Sequence, residues 1–264
     1  MGVRIALVPT MGALHAGHLS LVRIATAQAD RVIVSIFVNP KQFAPHEDFA
    51  RYPRTLDADL EALAAARADL VYIPDGDSMY PEGFATTVSV AGAARGLESD
   101  SRPHFFDGVA TVVTKLLVRC APDLAVFGEK DYQQLQVVRR LVADLDLPVE
   151  IIGGAIVREP DGLALSSRNR YLSPEERIVA ASLNRRLAEA EQAVEGGAGI
   201  PETLARCRKA WLEDGFTKID YVELRDAATL EPLARLDRPA RLLAAAWLGA
   251  TRLIDNRPVS ARGR

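Results

Sequence analysis

The first 152 residues alternate between short apolar runs rich in β-branched side chains and longer stretches with helical spacing. Residues 3–8, 32–38 and 70–73 read as buried strands, and residues 19–29 and 54–67 as the helices between them. The rhythm continues less regularly: 86–90, 124–127 and 149–152 read as further strands, and 108–119 and 131–144 as helices. Strands and helices in this order argue for an α/β fold, a Rossmann-like, doubly wound parallel sheet with helices on both faces.

The texture changes at Ser173. Before it, Glu159-Pro160-Asp161-Gly162 separates two apolar stretches, a hairpin signal. After it, Ser173-Pro174-Glu175-Glu176 combines a capping box with proline at the first helical position. A long helix is expected from there to about Val194, ended by Gly196 and Gly197. A second helix over 201–212 and strands over 219–224, 240–248 and 251–254 complete the pattern. Two domains are therefore expected, a Rossmann-like domain over 1–172 and a smaller α+β, lid-like domain over 173–264.

The chain has 264 residues and a net charge of −3. That length is ample for a core. The charge gives no electrostatic case for a nucleic-acid or acidic-membrane partner. No apolar run approaches the ~20 residues of a membrane span. A strand pattern begins almost at the N-terminus, so a signal peptide is not expected. Cys120 and Cys207 stand far apart and suggest neither a disulfide framework nor a metal cluster; a reducing cytoplasm is the expected location.

Four segments fall at expected strand ends, where open parallel sheets bind ligands. Residues 8–18 run Val-Pro-Thr-Met-Gly-Ala-Leu-His-Ala-Gly-His and join the first strand to the first helix. Gly12 and Gly17 permit close approach of backbone to a ligand. The helix beginning near His18 offers unpaired N–H groups that favour phosphate. His15 and His18, two of only four histidines in the chain, add side-chain donors for charge that grows on phosphate oxygens. A zinc site is the competing reading, but no nearby cysteine or carboxylate completes the ligation, and no residue is assigned to a metal. Gly128-Glu129-Lys130-Asp131-Tyr132-Gln133-Gln134 follows a strand and opens a helix. Lys130 suits phosphate oxygens, Asp131 a helix cap or a ribose hydroxyl, and Gln134 the same cleft. Leu165-Ser166-Ser167-Arg168-Asn169 offers two hydroxyls and a guanidinium, a phosphate-binding set. Asn39 and Gln42 are neutral amides on the rim, suited to a small hydroxy acid. Taken singly, the segments at 128–134 and 165–169 read first as a plain helix start and a polar interdomain loop, and the plain alternative for 39–42 is a polar loop.

Together these residues resemble the pantothenate synthetase (pantoate–β-alanine ligase) family, within the HxGH nucleotidyltransferase-like superfamily. The resemblance rests on Pro-Thr-Met-Gly-Ala-Leu-His-Ala-Gly-His at 9–18, Phe-Val-Asn-Pro-Lys-Gln-Phe at 37–43, Tyr-Pro-Arg-Thr at 52–55, Phe-Gly-Glu-Lys-Asp-Tyr-Gln-Gln-Leu at 127–135 and Ser-Ser-Arg-Asn at 166–169. Tyr-Val-Glu-Leu-Arg-Asp-Ala at 221–227 and Thr-Arg-Leu-Ile-Asp-Asn at 251–256 extend it to the C-terminal part. It implies an ATP-dependent ligase that condenses pantoate with β-alanine through a pantoyl adenylate, releasing pantothenate, AMP and pyrophosphate, with Mg²⁺ screening the triphosphate. By position, Met11, Gly12, Ala13, Leu14, His15, Ala16, Gly17 and His18 would line ATP, with His18 the general acid. Gly128, Glu129, Lys130, Asp131, Val157, Leu165, Ser166, Ser167 and Arg168 would complete that site. His15, Lys130, Ser166, Ser167 and Arg168 would share the catalytic work. Gln42 and Gln134 would hold pantoate, with Gln42 close to β-alanine. The resemblance also implies a homodimer, through the helix and strands around 108–127.

Two departures from the family pattern stand out. The family usually carries a further stretch before the first strand, so the start here is either truncated or that stretch is dispensable. At 102–109, Arg-Pro-His-Phe-Phe-Asp-Gly-Val sets Phe105 where the family has a histidine, with His104 one place early; no catalytic role is assigned to His104. The alternative readings are a nucleotidyltransferase that stops at a nucleotide product, a catalytically dead nucleotide-binding module, and a tRNA-handling protein, for which a basic domain is missing.

Overall fold

In the computed structural model, residues 2–45 and 47–261 are described. Five parallel strands, β1 (Ile5–Thr10), β2 (Arg31–Ile36), β3 (Leu70–Tyr72), β4 (Leu124–Gly128) and β5 (Glu150–Gly154), form one sheet in the order β3-β2-β1-β4-β5. Helix α1 (Ala16–Thr26) links β1 to β2, and α2 (Leu56–Ala65) links β2 to β3. The one-turn α3 (Gly76–Met79) and α4 (Glu98–Ser101) precede the long α5 (Phe105–Cys120), which leads into β4, and α6 (Tyr132–Asp144) leads from β4 to β5. The chain order reverses between β1 and β4. That switch point is where open α/β sheets form their ligand crevice.

Ala6, Leu7 and Val8 are fully buried at three successive positions of β1, the pattern of a strand covered on both faces. Val22 and Ala25 of α1 pack on Val32, Val34, Leu124 and Val126. Each fully buried Val or Leu contributes about 1.5–3 kcal/mol relative to exposure. Residues 86–90 form no strand. The Val88 N–H, which a strand would spend on a neighbour, goes to the Thr111 hydroxyl of α5 at 3.0 Å.

Three antiparallel strands, β6 (Lys218–Asp226), β7 (Ala240–Leu248) and β8 (Thr251–Val259), make a second sheet. The single helix expected after Ser173 is two, α7 (Pro174–Ala180) and α8 (Ser182–Glu195). They meet at Ala181, whose N–H turns to the Val179 carbonyl. The Ser173 capping box and the proline at the helix start form as expected. Helices α8 and α9 (Ile200–Asp214) set Leu183, Leu187, Trp211 and Cys207 against Val222, Leu224, Leu242 and Ala244 of the sheet.

The chain divides into two compact units. The first runs to Glu129 and resumes over Gln133–Ile156; the second comprises Lys130–Tyr132 and all residues from Val157 on. The hairpin around Gly162, closed by an Arg158–Ala164 bridge, thus groups with the C-terminal sheet, 16 residues before the change of texture at Ser173. Two contacts account for this. Leu163 joins the second hydrophobic core, and Arg158 pairs with Asp255 of β8.

Candidate active site

Past Thr10 the backbone enters the left-handed region twice, at Gly12 (φ 79°) and Ala13 (φ 51°). Glycine suits the first position for a second reason: a Cβ there would lie 3.0 Å from Asp59 Oδ2 and 3.1 Å from Ile36 Cγ2. Asp59, 3% exposed on α2, holds the turn. Its oxygens accept from the Ala13 N–H at 2.9 Å, the Leu14 N–H at 2.8 Å and the Thr55 hydroxyl at 3.2 Å.

The turn delivers the chain to His15, which caps α1. His15 Nδ1 accepts from the Gly17 N–H at 3.2 Å, and His18 Nδ1 accepts from the His15 N–H at 3.3 Å. This is a capping box built from two histidines. The rings lie 4.1 Å apart between centroids. With Nδ1 in the accepting role in both rings, Nε2 is the position left to donate. Two Nε2–H donors thus accompany the positive end of the α1 dipole.

Asn39 and Gln42 come from a 3-10 turn after β2 (Pro40–Gln42). Asn39, 1% exposed, donates to Gln42 Oε1 and to the Gly108 carbonyl, both at 3.1 Å, and accepts from the Lys41 N–H and the Tyr80 hydroxyl. Its amide is engaged inside the protein, so it positions Gln42. The Gln42 amide nitrogen in turn reaches Met11 Sδ at 3.0 Å, a weak acceptor. Arg102 braces the same turn, donating to the Gln42 carbonyl at 3.1 Å while pairing with both oxygens of Glu47. Its guanidinium lies 3.8 Å from the centroid of Phe105, which is buried; His104 is exposed at the start of α5.

At the end of β4, the first unit carries Gly128 and Glu129, and Glu129 lies over Gly153 of β5. The side chain of Gln134, half-buried in α6, makes no hydrogen bond among the described residues, whereas its neighbour Gln133 is buried and holds Ala93, Gly96 and Glu98. The loop after β1 and the residues after β4 therefore flank the switch point, as the sequence suggests.

The second unit brings together the remaining candidates. Lys130 is mostly buried and lies 3.9 Å from the carboxylate of Asp131, which is exposed. Val157 and Leu165 face one another across the hairpin, the Leu165 N–H donating to the Val157 carbonyl at 3.0 Å. Ser166 caps the 3-10 turn Ser167–Tyr171 by accepting from the Arg168 N–H at 3.3 Å. Ser167 is buried and Arg168 half-buried.

Sequence reading passed over Asp59 and Arg102 with Glu47, and gave Asp255 and Asn256, quoted within the 251–256 motif, no part in the site. For Asp59 a signal existed. An aspartate four residues before Leu63 lies on the helix face that is buried.

Comparison with known proteins agrees with the motifs. A family profile described as pantoate-beta-alanine ligase matches residues 1–258. Pantothenate synthetase from Mesorhizobium japonicum is 58% identical over 97% of this chain and 90% of its own length. The protein of that name from Paramagnetospirillum magneticum is 56% identical over the same shares. The crystal structure of pantothenate synthetase from Thermus thermophilus superposes with a TM-score of 0.92 at 47% identity, covering 97% of this chain and 94% of that one. Pantoate-beta-alanine ligase from Francisella tularensis, complexed with beta-gamma ATP and beta-alanine, gives 0.82 at 35% identity, covering 97% and 89%.

Proposed function

The chain belongs to the pantoate-beta-alanine ligase family, and from that premise we propose that it condenses (R)-pantoate with β-alanine in an ATP-dependent reaction. A carboxylate oxygen of pantoate attacks the α-phosphorus of ATP, the bond from that phosphorus to pyrophosphate breaks, and pantoyl adenylate results. The amine of β-alanine then attacks the acyl carbon, the bond to the adenylate oxygen breaks, and pantothenate and AMP are released. No covalent nucleophile of the protein is required.

The reciprocal histidine cap carries this reading. Negative charge builds on phosphate oxygens as pyrophosphate leaves, and donors fixed beforehand stabilise it without reorganisation. We assign His15 and His18 hydrogen-bond donation to those oxygens, with His18 the general acid as the resemblance implies. Met11, Gly12, Ala13, Leu14, Ala16, Gly17, Gly128, Glu129, Lys130, Asp131, Val157, Leu165, Ser166, Ser167 and Arg168 are assigned to the nucleotide. Gln42 and Gln134 are assigned to pantoate, with Asn39 in support of Gln42.

Among the described residues no three His, Cys, Asp or Glu side chains gather to hold a metal. The resemblance implies a Mg²⁺, which would enter with the nucleotide and screen its triphosphate. The cysteines are free thiols, which supports a cytoplasmic location, and a homodimer through residues 108–127 completes the proposal. The test is an AMP-release assay. AMP should form only with both pantoate and β-alanine present, and pyrophosphate exchange should require pantoate alone. Exchange without any acid, or with β-alanine in place of pantoate, would refute the reading.

A further inference from the structure

Two motifs singled out in the sequence, 221–227 and 251–256, have no part in the chemistry above, yet their residues hold the nucleotide elements of the second unit. Asn256 and Asp255, adjacent on β8, are 2% and 3% exposed. The Asn256 amide donates to the Lys130 carbonyl at 2.9 Å, and its oxygen accepts from Arg241 Nε at 2.6 Å. The Arg241 guanidinium lies 4.1 Å from the Tyr132 ring centroid, and the Tyr132 hydroxyl donates to the Ala227 carbonyl at 2.8 Å. The segment Lys130–Tyr132 is thus gripped by its main chain at one end and by a ring at the other. Asp255 takes both terminal nitrogens of Arg158, at 2.7 and 2.9 Å. Arg158 also donates to the carbonyls of Gly162 at 3.0 Å and Asn256 at 3.3 Å. It sits in the hairpin between Val157 and the residues that lead to Ser166. The Asn256 N–H donates to Asp255 Oδ1 at 2.7 Å, which ties the two anchors together.

We propose that Asp255 and Asn256 are positioning residues for adenylation, fixing Lys130 and the 157–168 hairpin at a set spacing. The proposal rests on the assignment of both elements to ATP. A lysine side chain is a long flexible stem, and a fixed carbonyl at its root narrows the volume its ammonium samples. The forked pair between Arg158 and Asp255 fixes direction as well as distance. Misplacing a catalytic group by about 1 Å can lower a rate about 10²-fold, so anchors that never touch substrate govern the step.

Asn256→Asp tests this at nearly constant volume. It keeps the acceptor for Arg241 but sets an oxygen against the Lys130 carbonyl. Arg158→Lys, at a half-buried position, keeps the charge and loses the fork. In both variants the KM for ATP should rise about tenfold or more as a buried hydrogen bond is lost. The KM for pantoate should change less than about twofold, since neither variant alters a residue assigned to pantoate or the Asn39 and Met11 side chains that Gln42 meets. In a Lys130→Ala background, Asn256→Asp should add less than about twofold, because both act through one group. Lys130→Ala alone separates the two layers of argument. If it leaves the KM for ATP unchanged, the assignment of Lys130 fails. If it raises that KM while Arg158→Lys and Asn256→Asp do not, or if the effects of Asn256 and Lys130 simply multiply, the positioning role is wrong. Should Asn256→Asp not fold, Arg158→Lys decides alone.

Discussion

Gly108 meets Lys41 main chain to main chain: a Cβ on Gly108 would overlap the Lys41 carbonyl oxygen and come within 2.8 Å of Gln42 N. Helix α5 therefore rests directly on the turn that presents Asn39 and Gln42, and the Gly108 carbonyl accepts from Asn39. Backbone cannot swing aside as a side chain can. Gly108→Ala should cost about 1–3 kcal/mol through overpacking, seen as a lower urea midpoint. It should also raise the KM for pantoate more than that for ATP. Wild-type values for both would show that α5 and the turn slide freely.

Asp59 holds the turn that leads to His15 and is expected to act through it. In Asp59→Asn an NH₂ replaces one acceptor, leaving either the Ala13 or the Leu14 N–H without a partner at a cost of about 1–3 kcal/mol. Thermal unfolding should shift down, and pyrophosphate exchange should fall about tenfold or more as the histidine cap loses its seat. An Asn variant that unfolds and exchanges like the wild type would remove Asp59 from the site.

Capping and chemistry can be separated at His18. Glutamine is the usual third helical residue of a capping box, so His18→Gln can restore the bond to the His15 N–H that His18→Ala loses. The Ala variant should be about 1 kcal/mol less stable, and the Gln variant should recover most of that. Both should lose about 10²–10³-fold in adenylation, because the Nε2–H donor is gone. Recovery of exchange in the Gln variant would reduce the histidine to a cap.

The second unit should show an acid-dependent term. The Arg186 guanidinium, through bonds of 2.9 and 2.8 Å, holds the Asp214 carboxyl below its ordinary value, against the opposing effect of burial. The depressed value belongs to the folded state. The bridge between α8 and α9 therefore contributes fully above the ordinary carboxylate range near ~3.9, and its contribution is lost as pH falls through the folded value. Asp214→Asn should be less stable near neutrality by about 1 kcal/mol or less, and should converge with the wild type as pH drops well below ~3.9. Equal gaps in urea midpoint at both ends of that range would contradict the sign.

The fold was legible because its buried strands are unbroken apolar runs, Ala6-Leu7-Val8 above all. The geometry of the candidate site was legible where it is local, in the glycines and histidines of one turn. Helix α1 starts at Ala16, three residues before the expected start at residue 19, because histidine is not an ordinary cap and only the pair His15–His18 makes it one. Residues 86–90 look like a strand, but the bond that spends the Val88 N–H is made 23 residues away. Asn39 reads as a rim amide until its neighbours are seen to occupy it. Asp255 and Asn256 act on residues 97 and 126 positions distant, and no local pattern announces such a pairing.

Because Lys130–Tyr132 belongs with the C-terminal sheet while the residues before and after it do not, this chain has no single seam. A fragment ending at Ile156 would keep the lysine and lose Asn256, Arg241 and Ala227, which seat it. A C-terminal fragment would keep those anchors with nothing to grip. Grafting the last hundred or so residues from a relative would therefore exchange the residues that seat Lys130, and modular recombination in such a protein must respect three crossings of the chain rather than one.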